Sequence, residues 1–317
     1  MNQKHVKWVI AHEPIGLFLE VAKTFATEVN EKTNGMFDIE VLSLSDYANK
    51  YNDGKQITKD DLIALVNTGA IEMSHIYTSW LGGFNKDMFA LDLPFMFRDH
   101  DHADAVLEGE IGAGLLAGVA ANSNVQPMSF TYSGGFKVVP ANFDAANVDA
   151  WEGQDIRTST SPVSNAIFRS LGANVRNDIS LENMAEHGLS GDIDGGESTY
   201  VRVLPLKQNE AFSHVNDTAH SLLLTSIIVN QDFLATLDTD VQKIMSDAAF
   251  LAARQERRQS VADVPGIVAE LDFEGVKIVN LSDEQAAELK AATAPVYELF
   301  KDAFTPGLIE DLKKAGK

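Results

Sequence analysis

The chain has 317 residues, with 25 Lys and Arg against 46 Asp and Glu, a formal net charge of −21 and no cysteine. Length suggests about two domains, and a chain of this size buries roughly 75% of its extended-chain surface, enough for a core without metal or disulfide support. The charge argues against a nucleic-acid partner, which needs clustered Lys and Arg, and against docking on an anionic membrane. It fits a soluble protein, and it fits a saline habitat. Hydrophobic residues at 45% and charged residues at 22% exclude wholesale disorder and a coiled coil. Without cysteine there are no disulfides, thiolate nucleophiles or Cys-ligated metals. No apolar run reaches the 18–20 residues of a membrane helix. The chain enters a strand-like run almost at once, so an exported protein of this sequence has already lost its signal peptide.

In chain order, short β-like runs alternate with helical stretches, the pattern of an α/β fold. Residues 6–11 read as a strand. A helix is expected over 16–30, with Phe18, Val21, Ala22, Phe25 and Val29 at helical spacing. Strand 37–42, helix 60–67, strand 71–76, one helix over 102–121 and strand 127–131 follow. The second half repeats the theme. It has a short strand at 155–157, a helix at 162–171 with Pro162 in its first turn, a helix capped by Ser180 running to 189, and a strand over 192–197. The apolar run 221–230 reads as a buried strand. Helices then dominate. The first, 240–262, has Ile244, Ala248, Leu251 and Ala252 on one face and is bent or ended by Pro265-Gly266. A last one, 283–303, opens with a Ser282/Gln285 capping box. No linker or repeat is visible, so two lobes here imply that the chain crosses between them more than once.

Enzyme signatures do not assemble. Asp99-His100-Asp101-His102, with Asp104, offers metal-ligand residue types, but alternate residues of an extended loop point apart and no helical His-x-x-x-His pair is present. Acids at a helix start suit the helix dipole equally well. Asp192-Ile193-Asp194-Gly195-Gly196-Glu197 lacks the spacing of an EF-hand loop. No phosphate loop, Gly-x-Ser-x-Gly elbow, His-Glu-x-x-His motif or marked triad is present.

Three blocks, in order, carry a resemblance. They are Leu91-Asp92-Leu93-Pro94-Phe95-Met96-Phe97-Arg98-Asp99 with His102-Ala103 and Val106-Leu107-Glu108-Gly109; Gly153-Gln154-Asp155-Ile156-Arg157-Thr158 with Ser161-Pro162 and Leu171-Gly172-Ala173; and Gly191-Asp192-Ile193-Asp194-Gly195-Gly196-Glu197. Together the sequence resembles the DctP-type solute-binding proteins of TRAP transporters. The resemblance implies an α/β, two-lobed periplasmic binding protein of type II-like architecture, with crossing strands and a long lobe-spanning helix. Lobe I takes residues 1–132 and 224–262, and lobe II takes 133–223 and 263–317. It further implies a periplasmic protein, monomeric, that is not an enzyme and needs no cofactor, holds a small carboxylate in an interlobe cleft and delivers it to TRAP permease subunits.

Ligands of open α/β sheets sit outside the carboxyl ends of strands. That rule places His12 and Glu13 after the first strand, Tyr77 and Trp80 after the third, Phe136 on the crossing segment, and Arg157, Glu197 and Ser198 in lobe II. The resemblance makes Arg157 the carboxylate clamp. Tyr77 and Trp80 serve equally as core; Glu197 is expected in the cleft, accepting hydrogen bonds or supporting Arg157, with a solvated strand-end acid as the alternative; and Lys137 reads as a solvated strand residue. Phe136 stands where sialic-acid binders carry a second arginine, which argues against a doubly anchored acid of that kind. The expected solute is a small monocarboxylate: a sugar or hydroxy acid, or a zwitterion such as ectoine or an amino acid whose cation stacks on Trp80. The competing readings are a binding protein for an ABC importer or sensor, and a metal-dependent hydrolase built on Asp99 to Asp104.

Overall fold

A computed structural model describes residues 3–11 and 16–317. Eleven strands are present among them. In the first half these are β1 (Lys4–Ile10), β2 (Phe37–Leu42), β3 (Met73–Tyr77), β4 (Val125–Phe136), β5 (Val139–Ala141) and β6 (Asp155–Arg157). They are followed by β7 (Asn174–Arg176), β8 (Gly195–Gly196), β9 (His214–Asp217), β10 (Leu222–Asn230) and β11 (Lys277–Asn280). The chain divides into two compact units, the first comprising Met1–Asn85, Leu107–Tyr132 and Leu224–Arg258, the second Lys86–Val106, Ser133–Leu223 and Gln259–Lys317. Strands β4 and β10 and the helix Thr239–Ala262 each have residues in both units, so the chain crosses repeatedly.

The first unit is built on a five-stranded sheet in the order β2-β1-β3-β10-β4. Strand β1 runs parallel to β2 and β3, and β10 returns antiparallel beside β3. The helix Gly16–Lys32 buries Phe18, Val21, Ala22, Phe25 and Val29, the five positions its spacing predicts. Phe25 meets Trp8 of β1 edge-on, with ring centroids 5.1 Å apart. Each of these buried Val and Phe side chains contributes about 1.5–3 kcal/mol relative to an exposed one. Met245, Ala248, Ala249, Ala252 and Ala253 of the long helix join this core. Leu251, expected on that face, is only half-buried.

The second unit carries a six-stranded sheet ordered β11-β9-β5-β8-β6-β7. Its central strand β8 is only two residues long and lies between antiparallel β5 and parallel β6. Residues 192–197 were expected to be strand throughout. Instead the Asp194 carboxylate turns back to accept the Asp155 N–H at 2.8 Å, and His187 meets the Asp192 carboxylate at 3.0 Å. The pairing is confined to Gly195 and Gly196. Around this sheet, Trp151, Ile156 and Phe168 form one buried cluster, and Val138, Val203 and Val215 are part of another.

Three further expectations are corrected. The helix foreseen over 102–121 is two, His100–Leu107 and Glu110–Ala121, separated at Gly109, whose backbone is extended at φ −95°, ψ −171°. Glu108 at this break is held by Arg254, 3.0 Å from Nε to Oε1, and by Arg257. The last helix ends at Thr293, because Pro295 restarts the chain as a separate helix Pro295–Phe300; its Ser282/Gln285 capping box is present. Residues Lys86–Val106 belong to the second unit rather than the first. They are tied there by Asp92 to Ser161 at 2.6 Å, Arg98 to the carbonyls of Lys313 and Ala315, and His102 to the Leu312 carbonyl at 2.7 Å.

Candidate functional site

The Asp-Gly-Gly-Glu segment is shaped by close approach of its neighbours. A Cβ on Gly195 would lie 2.8 Å from the Pro140 carbonyl oxygen, and one on Gly196 would lie 2.8 Å from Arg157 Cβ. Only glycine lets β8 fit between β5 and β6. The pairing sets Arg157 opposite Gly196, and the Glu197 N–H donates to the Arg157 carbonyl at 3.0 Å. The half-buried Arg157 guanidinium donates through Nε to the Ile179 carbonyl at 2.9 Å and through Nη1 to the Glu197 carbonyl at 3.5 Å. Two backbone oxygens therefore fix the plane of the fork.

Beneath it lies a buried charge cluster. Glu197 is 3% exposed. Its Oε1 accepts from Lys137 Nζ at 3.0 Å and from His220 Nε2 at 2.8 Å, and its Oε2 accepts from Thr158 Oγ1 at 2.6 Å. An ionised carboxylate only accepts, so His220 donates from Nε2, and its Nδ1 accepts from the Thr218 hydroxyl at 2.7 Å. Burial alone would raise the Glu197 pKa, but the Lys137 ammonium and the bonds from His220 and Thr158 hold it well below the ordinary carboxylate range. Burial also depresses the His220 pKa, so the imidazole is neutral, although Glu197 opposes that shift. Asp92 is raised by burial, with Lys137 and the Ser161 hydroxyl pulling against it.

Several expectations change at this point. Lys137 is not a solvated strand residue: it is 3% exposed, because its ammonium neutralises Glu197. Glu197 is no solvated acid either; both of its oxygens serve donors of its own unit. Ser198 is 1% exposed and is used in a backbone bridge to Val138. Phe136 is half-buried and meets His100 edge-on at 4.8 Å. In the first unit, Tyr77 and Trp80 stand together, centroids 5.8 Å apart, with Lys59 Nζ over both rings at 5.2 and 5.6 Å. His12 and Glu13 lie outside the described residues. Lys137, His220, Thr158 and Asp92 complete the cluster and were not singled out as site residues from sequence. Asp92 and Thr158 do lie inside the blocks that carry the resemblance.

The histidine–aspartate segment has a different use. Asp99 Oδ1 accepts the His102 N–H at 2.7 Å, His102 Nδ1 accepts the Arg98 N–H at 3.1 Å, and Nε2 donates to Leu312. Both ring nitrogens of His102 are thus committed to backbone. Among the described residues, no three His, Asp or Glu side chains converge as a metal set, and no helix is long and apolar enough to cross a membrane.

Residues 12–303 match the DctP family, the bacterial extracellular solute-binding proteins of family 7. The chain belongs to this family. A relative from Rhodobacter capsulatus, named C4-dicarboxylate-binding periplasmic protein DctP, is 27% identical over 297 residues, spanning 91% of this chain and 84% of the relative. The fold is also that of a TRAP periplasmic solute-binding protein from Sulfurospirillum deleyianum with bound succinate, at TM-score 0.86 and 25% identity, covering 99% of this chain and 100% of the other. A TRAP periplasmic solute-binding protein from Xanthobacter autotrophicus with bound β-D-galacturonate superposes at TM-score 0.85, with 24% identity and 98% and 99% coverage. The DctP-type chain is therefore a two-lobed α/β solute-binding protein and not an enzyme. The match favours the TRAP reading over an ABC importer or a metal-dependent hydrolase.

Proposed function

We propose that this protein captures a small organic carboxylate in the periplasm and passes it to the membrane permease subunits of a TRAP transporter, with Arg157 as the carboxylate clamp. The observation that carries this reading is the oriented Arg157 fork, steadied by the Ile179 and Glu197 carbonyls and left half-buried at the end of β6. A guanidinium fork meets a carboxylate with two parallel hydrogen bonds, a geometry that a lysine point charge does not reproduce. Succinate and galacturonate, bound by similarly folded proteins, both present such a group. Glu197, Lys137, His220 and Thr158 then act as the support on which Arg157 rests. Tyr77, Trp80, Phe136 and Ser198 remain in the proposed ligand-binding set, as do His12 and Glu13.

The test is to denature protein purified from its native host and identify the released solute by mass spectrometry. An organic acid that raises the melting temperature when added back supports the reading. A ligand at 100 times its Kd stabilises a fold by about 2.7 kcal/mol, which a thermal-shift assay detects readily. Recovery of a neutral sugar or a peptide that stabilises the protein equally well contradicts it, and recovery of a chemically altered solute after incubation would contradict binding without turnover.

A further inference from the structure

Asn165 lies near the start of the helix Pro162–Ser170 and is 3% exposed. A short polar side chain is a poor helix former unless its amide finds backbone partners. Here it finds partners on two chain segments. Its Nδ2 donates to the Ser159 carbonyl at 2.8 Å and to the Ser161 carbonyl at 2.6 Å, and its Oδ1 accepts from Asn177 Nδ2 at 2.7 Å. Both amide N–H groups and the amide oxygen are thus committed.

The two segments are those that bracket Arg157. Strands β6 and β7 run parallel with Arg157 opposite Arg176, and their pairing closes where the Thr158 N–H donates to the Arg176 carbonyl at 3.1 Å. Beyond that bond both segments leave the sheet. One becomes the turn through Ser159 to Ser161, directly after Arg157. The other runs through Asn177 to Ile179, whose carbonyl accepts from Arg157 Nε at 2.9 Å. Asn165 ties them back together, joining the backbone that carries Arg157 to the segment that orients its guanidinium.

We infer that Asn165 is a positioning residue for solute capture: its amide holds the turn after Arg157 against the Asn177–Ile179 segment, and so keeps the guanidinium fork set before the solute arrives. The inference rests on the proposed Arg157 clamp and adds the element that pre-organises it. A fork already oriented loses less freedom on binding than one the solute must order.

Asn165→Asp keeps the shape of the side chain but has no donor for the two carbonyls, and Asn177→Ala removes only the link to the second segment, from an exposed position. Both variants are read first without solute, by nitrogen-15 NMR of the arginine Nε–H groups. The Arg157 Nε–H, bonded to Ile179, should exchange slowly with water in the wild type and faster in both variants. The Arg202 Nε–H, which donates to the Ser133 hydroxyl at 2.8 Å within the same unit, should stay protected. Calorimetry with succinate should then show affinity about tenfold weaker in Asn165→Asp, or ~1.4 kcal/mol, and weakened by a smaller factor in Asn177→Ala at an unchanged melting temperature. An Arg157 signal still protected in the variants overturns the inference. So does loss of the Arg157 and Arg202 signals together, which marks a merely structural role, and so does unweakened succinate binding once the Arg157 signal is lost. If Asn165→Asp does not fold, Asn177→Ala carries the same test. No succinate binding by the wild type would count against the carboxylate reading, and the solute-free Arg157 signal would still decide the positioning.

Discussion

Lys137 and Glu197, 60 residues apart in the chain, form an ion pair with 3.0 Å between Nζ and Oε1, and each side chain is only 4% exposed. A buried pair of this kind need not add net stability, but breaking it from one side strands a charge. Lys137→Met should therefore destabilise the protein by about 3–5 kcal/mol. Glu197→Gln should cost less, because an amide oxygen still accepts from Thr158 or Lys137. Urea denaturation of the two variants checks this order, and equal losses would contradict it.

The acid limb of stability should show two onsets. His220 has a folded pKa below its ordinary 6.5 because it is buried, so the unfolded chain binds the proton more readily. The stability it contributes is present above pH 6.5 and is lost as pH falls below that value. Glu197 has a folded pKa below its ordinary 4.5, so its contribution is present above 4.5 and drains away at lower pH. Asp92, raised by burial, works against this second slope above its ordinary 3.8. His220→Gln should reduce the slope that begins near pH 6.5, leaving the part due to His100, which is likewise depressed by burial. Melting temperatures measured from pH 7.5 down to pH 4 would reveal an unchanged slope if this assignment is wrong.

Gly196→Ala tests how β8 positions Arg157. The added Cβ would stand 2.8 Å from Arg157 Cβ and 3.1 Å from its carbonyl oxygen, so strand β6 must shift. Overpacking of this kind costs about 1–3 kcal/mol. Affinity for the recovered solute should fall as well, since the guanidinium moves with its strand. Gly191→Ala, at a position with φ +80° and no neighbour within 4 Å of the added carbon, should strain the backbone but leave affinity unchanged. Loss of affinity in both variants alike would argue against a local effect on Arg157.

Much of the architecture was legible in the chain. The strand over residues 37–42, the buried face of the helix Gly16–Lys32 and the Ser282 capping box follow from periodicity and local capping alone. The break at Gly109 is hidden because apolar residues continue on both sides of it, and the helix Leu44–Tyr51 is short, with little beyond its Ser43/Asp46 box to mark it. The charge cluster was hardest. Lys137 is buried only because Glu197, Thr158 and His220 converge from distant parts of the chain, and a lone lysine on a strand gives no sign of such partners. Arg157 was found through a family resemblance; its orientation by the Ile179 and Glu197 carbonyls became visible only in the fold.

The most direct test of carboxylate capture is titration calorimetry of Arg157→Lys with the carboxylate recovered from the wild-type protein. Affinity should fall tenfold or more, about 1.4 kcal/mol per decade, while the circular dichroism spectrum and the ligand-free melting temperature stay near those of the wild type. Arg157→Ala should bind more weakly still, because the solute's carboxylate would be desolvated without a partner. Near-wild-type affinity in a folded Arg157→Lys variant would contradict the clamp.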